Sequence, residues 1–183
     1  LLDGVFTTFR IQQLPSGNIT GKTAGETFQI SLEAVDGNGN IDPTFNGKAV
    51  ITSNATLGTG GGATANFSNG ILASHTISIT SAGTGRFITA TNQAGTETGQ
   101  SNTFVVSPAA ASVATSEISA NPDMILNNGS STSAISVQLK DAFGNNLTTG
   151  GNTVTMTTTA GTLGSVTNNN NGTYSATLTS SLF

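Results

Sequence analysis

The pattern Asp-x-x-Gly-Asn occurs twice in this chain, as DGNGN at Asp36–Asn40 and as DAFGN at Asp141–Asn145. Each copy closes a run in which apolar and polar residues alternate: FQISLEAV before the first, ISVQLK before the second. Strict alternation is the signature of a strand with one buried face, here Phe28, Ile30, Leu32 and Ala34 in one run and Ile135, Val137 and Leu139 in the other. Further landmarks recur in the same order. Leu57-Gly58 is answered by Leu163-Gly164, and the Asn-Gly at Gly70 by the Asn-Gly at Gly172. The offsets are 141 − 36 = 105, 163 − 57 = 106 and 172 − 70 = 102, a drift that loop-length differences between two copies of one fold produce. A repeat near 105 residues predicts two similar domains of ordinary size within the 183 residues.

The residue types decide the class of those domains. Only 8% of residues are charged, against roughly 25% in an average soluble domain, so the surface is built from hydroxyls and amides. Thr, Val and Ile favour strands, Gly, Asn and Asp favour turns, and helix-forming residues are scarce. Asn-Gly pairs at Asn38, Asn46, Asn69, Asn128 and Asn171 punctuate the strand-like runs. The expectation is an all-β protein: tandem β-sandwiches with Greek-key connections. The boundary is placed at SPAAASVATS around Pro108, which breaks the alternation without supplying a core.

Residues 9–107 form the first sandwich on this reading and residues 108–183 the second. The first continues after Ser81 through AGTGRFITATNQAG and SNTFVVSP, whereas the second stops near where those runs would begin, so it is expected to lack its last strands. GVFTTFRIQ from Gly4 is similar to GQSNTFVVS from Gly99. Residues 1–8 are therefore read as the tail strand of a preceding unit or as an N-terminal strand. A spare strand at one end and an open sheet edge at the other also predict head-to-tail self-association.

Several function classes are disfavoured. A net charge of −4, with five scattered basic residues, offers no cationic patch for nucleic acid or lipid headgroups. No apolar run approaches the roughly 20 residues of a membrane span. Absence of cysteine removes disulfides and thiolate chemistry. His75, the one histidine, shares a face with Ile77 and Ile79, and nothing nearby resembles a nucleophile turn. Carboxylates are scattered singly, and with no tryptophan and one tyrosine, Tyr174, there is no sugar-stacking platform. Gly58–Ala63 and Gly83–Arg86 lack the Lys-Ser/Thr and helix of a phosphate loop and are expected to be mobile hairpin tips.

The sharpest chemical candidate is Asp36, Asn38, Asn40 and Asp42, whose alternate spacing resembles the opening of a calcium loop. Ile41 and Gly47 stand where such a loop carries Gly and a bidentate Glu, and the second copy has Ala142 and Phe143 inside the pattern. A turn accounts for Asp-x-x-Gly-Asn, because Asp accepts backbone N–H bonds and Gly tolerates positive φ. No cofactor and no catalytic or metal-ligating residue is assigned, with calcium at Asp36–Asp42 kept as the weaker alternative.

Residues 116–181 carry a resemblance to a known family. Their succession of LKDAFGN, VTMTT, GTLG and NGTYSATLTSS resembles the bacterial immunoglobulin-like domains of invasin/intimin-type cell-surface adhesins. In the first unit AGETFQISLEAVDGNGN and FITATN are more loosely similar. The resemblance implies a non-catalytic stalk or spacer of a bacterial surface or secreted adhesin-like protein, whose partners are neighbouring domains of the same polypeptide. The alternatives are a glycan- or host-protein-binding module, or an accessory domain of a secreted polysaccharide-degrading enzyme.

Overall fold

The computed structural model describes residues 4–182 and is all-β, built as two units, Leu1–Ser107 and Pro108–Phe183. Unit 1 contains β1 (Thr8–Gln13), β2 (Lys22–Thr23), β3 (Thr27–Val35), β4 (Ala49–Ser53), β5 (Leu57–Thr59), β6 (Gly62–Ala63), β7 (Ile71–Ile79), β8 (Gly83–Arg86), β9 (Ile88–Asn92), β10 (Thr98–Gln100) and β11 (Phe104–Ser107). They form two four-stranded sheets, β1-β3-β7-β5 and β10-β9-β4-β6, and a three-stranded sheet, β2-β11-β8. In the last, β2 and β11 run parallel, with Val106 opposite Lys22 and Ser107 opposite Thr23.

Alternation in the sequence becomes a buried face here. Phe28, Ile30, Leu32 and Ala34 of β3 are buried, as are Ala49 and Ile51 of β4, Ile77 and Ile79 of β7, and Ile88 and Ala90 of β9. Phe6, Phe9, Phe45 and Phe67 form an aromatic cluster with centroids 4.7–5.6 Å apart, in tilted and edge-on arrangements that suit the ring quadrupoles. Of the leading segment, residues 1–3 lie outside the described residues. Gly4–Thr7 carry no strand assignment, and Thr8 opens β1, which pairs with β3 from Thr8↔Val35 to Gln13↔Ile30.

Unit 2 contains β12 (Glu117–Asn121), β13 (Thr132–Gln138), β14 (Thr162–Leu163), β15 (Thr167–Asn168) and β16 (Thr173–Thr179). They make one sheet, β12-β13-β16-β14, with β15 also on β16. Its first three strands repeat β1-β3-β7. Ser133, Ile135, Val137 and Leu139 stand 105 positions after Phe28, Ile30, Leu32 and Ala34, but Ile135 and Val137 are only half-buried. Among the described residues unit 2 has no counterpart of β8–β11. Residues 153–157, which answer β4, keep the in–out alternation, with Val154 and Met156 half-buried against Leu139, Leu147 and Tyr174, yet are not paired as a strand. A strand needs a neighbour to accept its backbone bonds, and the alternation alone does not supply one.

The two glycine-rich stretches are not hairpin tips. Gly58–Ala63 carries the chain from β5, on β7, to β6, on β4, and so crosses between the two large sheets. A methyl group at Gly60 (φ +77°) would lie 2.2 Å from the Thr76 carbonyl oxygen, so glycine is required by close approach as well as by conformation. Gly83–Arg86 is β8, paired with β11.

Candidate functional site

The two Asp-x-x-Gly-Asn loops are the same structure bond for bond. Asp36 N–H donates to Asn40 O (2.9 Å) and Gly39 N–H to Asp36 O (3.0 Å). Asp141 N–H to Asn145 O and Gly144 N–H to Asp141 O repeat both distances. Oδ1 of Asp36 accepts from the Asn38 and Asn40 amides at 2.8 and 2.9 Å, and Oδ2 from Asn40 Nδ2 at 3.2 Å. Oδ1 of Asp141 accepts from the Phe143 and Asn145 amides at 2.9 Å each, and Oδ2 from Asn145 Nδ2 at 2.8 Å. Glycine sits at the fourth position of each loop with φ +84°.

Each loop also receives the leading segment of its own unit. Ala109 N–H donates to Asp141 Oδ2 at 2.9 Å, and Thr115 Oγ1 to Asp141 O at 2.7 Å. Ser112 N–H donates to Lys140 O at 2.7 Å. Asp141 is fully buried by these contacts. Ala109 precedes Asp141 by 141 − 109 = 32 positions, and Gly4 precedes Asp36 by 36 − 4 = 32. At Gly4 a methyl group would come within 2.5 Å of Asp36 Oδ2, so the backbone of the first unit runs against the same carboxylate oxygen. There the hydrogen bond has moved to Asp42, whose Oδ2 accepts from Phe6 N–H at 3.1 Å while Oδ1 holds Thr44 N–H (2.9 Å) and Oγ1 (2.6 Å). Leu147 takes the place of Asp42 in unit 2: Asp42 N–H to Ala34 O and Leu147 N–H to Leu139 O are both 2.9 Å.

Donors crowding these carboxylates stabilise the ionised form. The Asn40 amide holds Asp36 below the usual carboxylate range, helped by the Asn40 side chain and the Asn38 amide against the opposing effect of burial. The Thr44 hydroxyl and amide do the same for Asp42. For Asp141 burial pushes upward, and the Asn145 side chain with the Ala109, Asn145 and Phe143 amides outweighs it.

Asp36, Asn40 and Asp42, singled out as part of a calcium loop, thus lie together, but both carboxylates are turned onto N–H and O–H donors. Calcium requires six to eight oxygen lone pairs directed at one point. Among the described residues no group of three or more His, Asp or Glu is placed to hold a metal. The arrangement fastens backbone to backbone. Nothing in the motif announces Ala109, Gly4 or Phe6; the shared 32-residue interval signals the first two and leaves Phe6 unmarked.

The remaining candidates are dispersed. His75, half-buried on β7, bonds through Nε2 to Gly60 O (2.8 Å) and so braces the sheet crossing. Tyr174 is buried in the unit 2 core with its hydroxyl donated to Asn152 O at 2.8 Å. Glu33 pairs with Arg10, Glu26 with Lys22 and Glu117 with Lys140.

Residues 112–182 match the family model described as invasin, domain 3. Among solved structures, the chain is similar to the Escherichia coli adhesin FdeC, at 21% identity and a TM-score of 0.54, covering 99% of this chain and 57% of that one. It is also similar to invasin, described as a bacterial integrin-binding protein, at 25% identity and a TM-score of 0.39, covering 94% of this chain and 33% of that one. The chain thus spans a third of invasin and somewhat over half of FdeC. No curated protein sequence matches it. The second unit is thus similar to the invasin-type domain described by that model, and the likeness to FdeC is one of fold.

Proposed function

We propose that this chain is a spacer region of a bacterial cell-surface, adhesin-like protein, non-catalytic, whose units set the reach and stiffness of a longer array. The observation that carries this reading is that each unit's leading segment is hydrogen-bonded to a carboxylate at the Asp-x-x-Gly-Asn end of its own body, Ala109 to Asp141 in the second unit and Phe6 to Asp42 in the first. A unit whose first residues are fastened to its own body restricts the direction in which the preceding chain departs, which a module used in series requires. The invasin-type family of residues 112–182 supports a surface location, and the dispersal of carboxylates and the single histidine supports a non-catalytic role.

The test is adhesion itself. Beads coated with the chain are expected to bind cultured epithelial cells no more than beads coated with an unrelated sandwich domain. Saturable binding above that level, competed by free chain, would overturn the spacer reading in favour of a ligand-binding module.

A further inference from the structure

Asparagine is followed by glycine at Asn38, Asn46, Asn69, Asn128 and Asn171. In this dipeptide the side-chain amide is open to attack by the next backbone nitrogen, because glycine puts no side chain in the way. In a folded chain the attack needs an asparagine side chain at liberty to turn, and a glycine whose N–H can leave its partner without opening the core. The fold withholds one or both from four of the five. Asn46 donates through Nδ2 to Thr44 O (3.1 Å) and accepts at Oδ1 from Asn69 N–H (3.0 Å). Asn128 Oδ1 accepts from the Ser130 and Ser131 amides at 3.0 and 2.8 Å. Asn171 Oδ1 accepts from the Thr173 amide (3.1 Å) and hydroxyl (2.7 Å), and the glycine after it is buried. Asn69 is exposed, but Gly70 is buried with its N–H on Phe45 O at 2.9 Å, and a methyl group there would lie 2.3 Å from Asp42 O.

Asn38 and Gly39 are both exposed at the tip of the DGNGN loop. Among the described residues nothing holds the Asn38 side chain; its backbone N–H alone is engaged, on Asp36 Oδ1 at 2.8 Å. The Gly39 N–H is bonded within the loop, to Asp36 O (3.0 Å), and a methyl group at Gly39 would meet nothing closer than Arg10 at 3.9 Å. Unit 2 folds the same turn around Phe143, 143 − 38 = 105 positions on, so the turn itself does not require asparagine at that place.

We propose that Asn38 is a site of spontaneous deamidation, selected from the five by the fold. Gly39 N, giving its proton to a solvent base, bonds to Asn38 Cγ; the Cγ–Nδ2 bond breaks, and the amide nitrogen leaves as ammonia. Water then opens the resulting succinimide at either carbonyl, leaving aspartate or isoaspartate at position 38. Nothing is oxidised or reduced. Either product adds a carboxylate to a loop that already holds Asp36 and Asp42. In isoaspartate the main chain also runs through the former side chain and is one methylene longer. The extra atom falls between the Asn38 and Asn40 amides, which share Asp36 Oδ1 at 2.8 and 2.9 Å, so the second of these bonds is lost and the loop loosens.

The test is to age the whole chain for days in mildly alkaline buffer at body temperature and to map its peptides by mass spectrometry, with electron-transfer fragmentation to separate isoaspartate from aspartate. Asn38 should convert at least about fivefold faster than any of the other four, each of which must first give up a further hydrogen bond or open a buried glycine. In urea the five rates should converge, because only the fold separates them. In the aged chain the Asn40 amide should lose about tenfold in hydrogen-exchange protection, while its counterpart Asn145 keeps its own. Asn38→Phe, the residue that unit 2 carries, should abolish both changes; if that variant fails to fold, Asn38→Gln is expected to do the same. Equal native rates at the five sites, faster conversion at another of them, or undiminished selectivity in urea would overturn the proposal. An Asn40 amide unchanged by isoaspartate would overturn the loosening.

Discussion

Asp141 gathers four N–H donors onto two oxygens with no contact with water, two of them the backbone amides of Ala109 and Phe143. Asp141→Ala leaves them unsatisfied and should destabilise unit 2 by about 2–4 kcal/mol, read as a lower urea midpoint. Asp141→Asn presents an amide donor where an acceptor is needed and should recover only part of the loss. Protonation acts on the same bonds. Because Asp36, Asp42 and Asp141 titrate below their unfolded value of 3.8, the unfolded chain binds more protons in that range. Glu97, held down by the Asn92 side chain, adds to the effect. Stability should be level above about pH 5 and fall as pH drops through 4 and below. A urea midpoint that is flat between pH 5 and pH 3 would contradict this. The turn itself was legible in Asp-x-x-Gly-Asn, since its bonds are local. The partners Ala109 and Gly4 were not, because a backbone amide leaves no mark in side-chain identity.

At the level of strands, β4 and residues 153–157 are written in similar sequence but meet different surroundings. Ala49–Ser53 has β6 and β9 on its two sides, so its amides should be strongly protected from hydrogen exchange, whereas those of residues 153–157 should exchange orders of magnitude faster. Comparable protection of both segments, measured by NMR, would refute the unpaired state of the second. Alternation made the inward faces of β3 and β13 readable, because it reports side-chain direction. Pairing is decided by what lies alongside, and a run of residues does not encode that. The Gly58–Ala63 stretch was misread for a related reason: glycine marks both a free tip and a place where backbones nearly touch, and only the second holds here. Gly60→Ala should therefore cost unit 1 at least about 2 kcal/mol, through both overlap with Thr76 O and an unfavourable φ. A thermal melt of the variant is the check.

For the molecule as a whole, two units with different coverage of their inner faces should unfold separately, the second first. Tyr174 is the only tyrosine, there is no tryptophan, and its ring is buried in unit 2, so intrinsic fluorescence reports that unit alone while circular dichroism follows both. Heating should give a fluorescence transition below the main dichroic one, and coincident transitions would mean that the units fold as one. Millimolar calcium after chelation should leave both unchanged, since the Asp36 and Asp42 oxygens are engaged with protons. A rise lost in Asp36→Ala would instead assign the ion to that loop. Repetition made the division into two units visible, because it survives in widely spaced landmarks; the openness of the second unit's inner face is a property of three-dimensional neighbours. The parallel pairing of β2 with β11 bears on what the first unit does under tension. Once β1 has parted from β3, pulling on the two ends drags β2 and the last strand in opposite directions along their length, so the bonds joining Lys22–Ala24 to Val106–Ser107 are loaded together in shear. They cannot be unzipped one by one, and the unit resists extension most strongly where it hands the chain on.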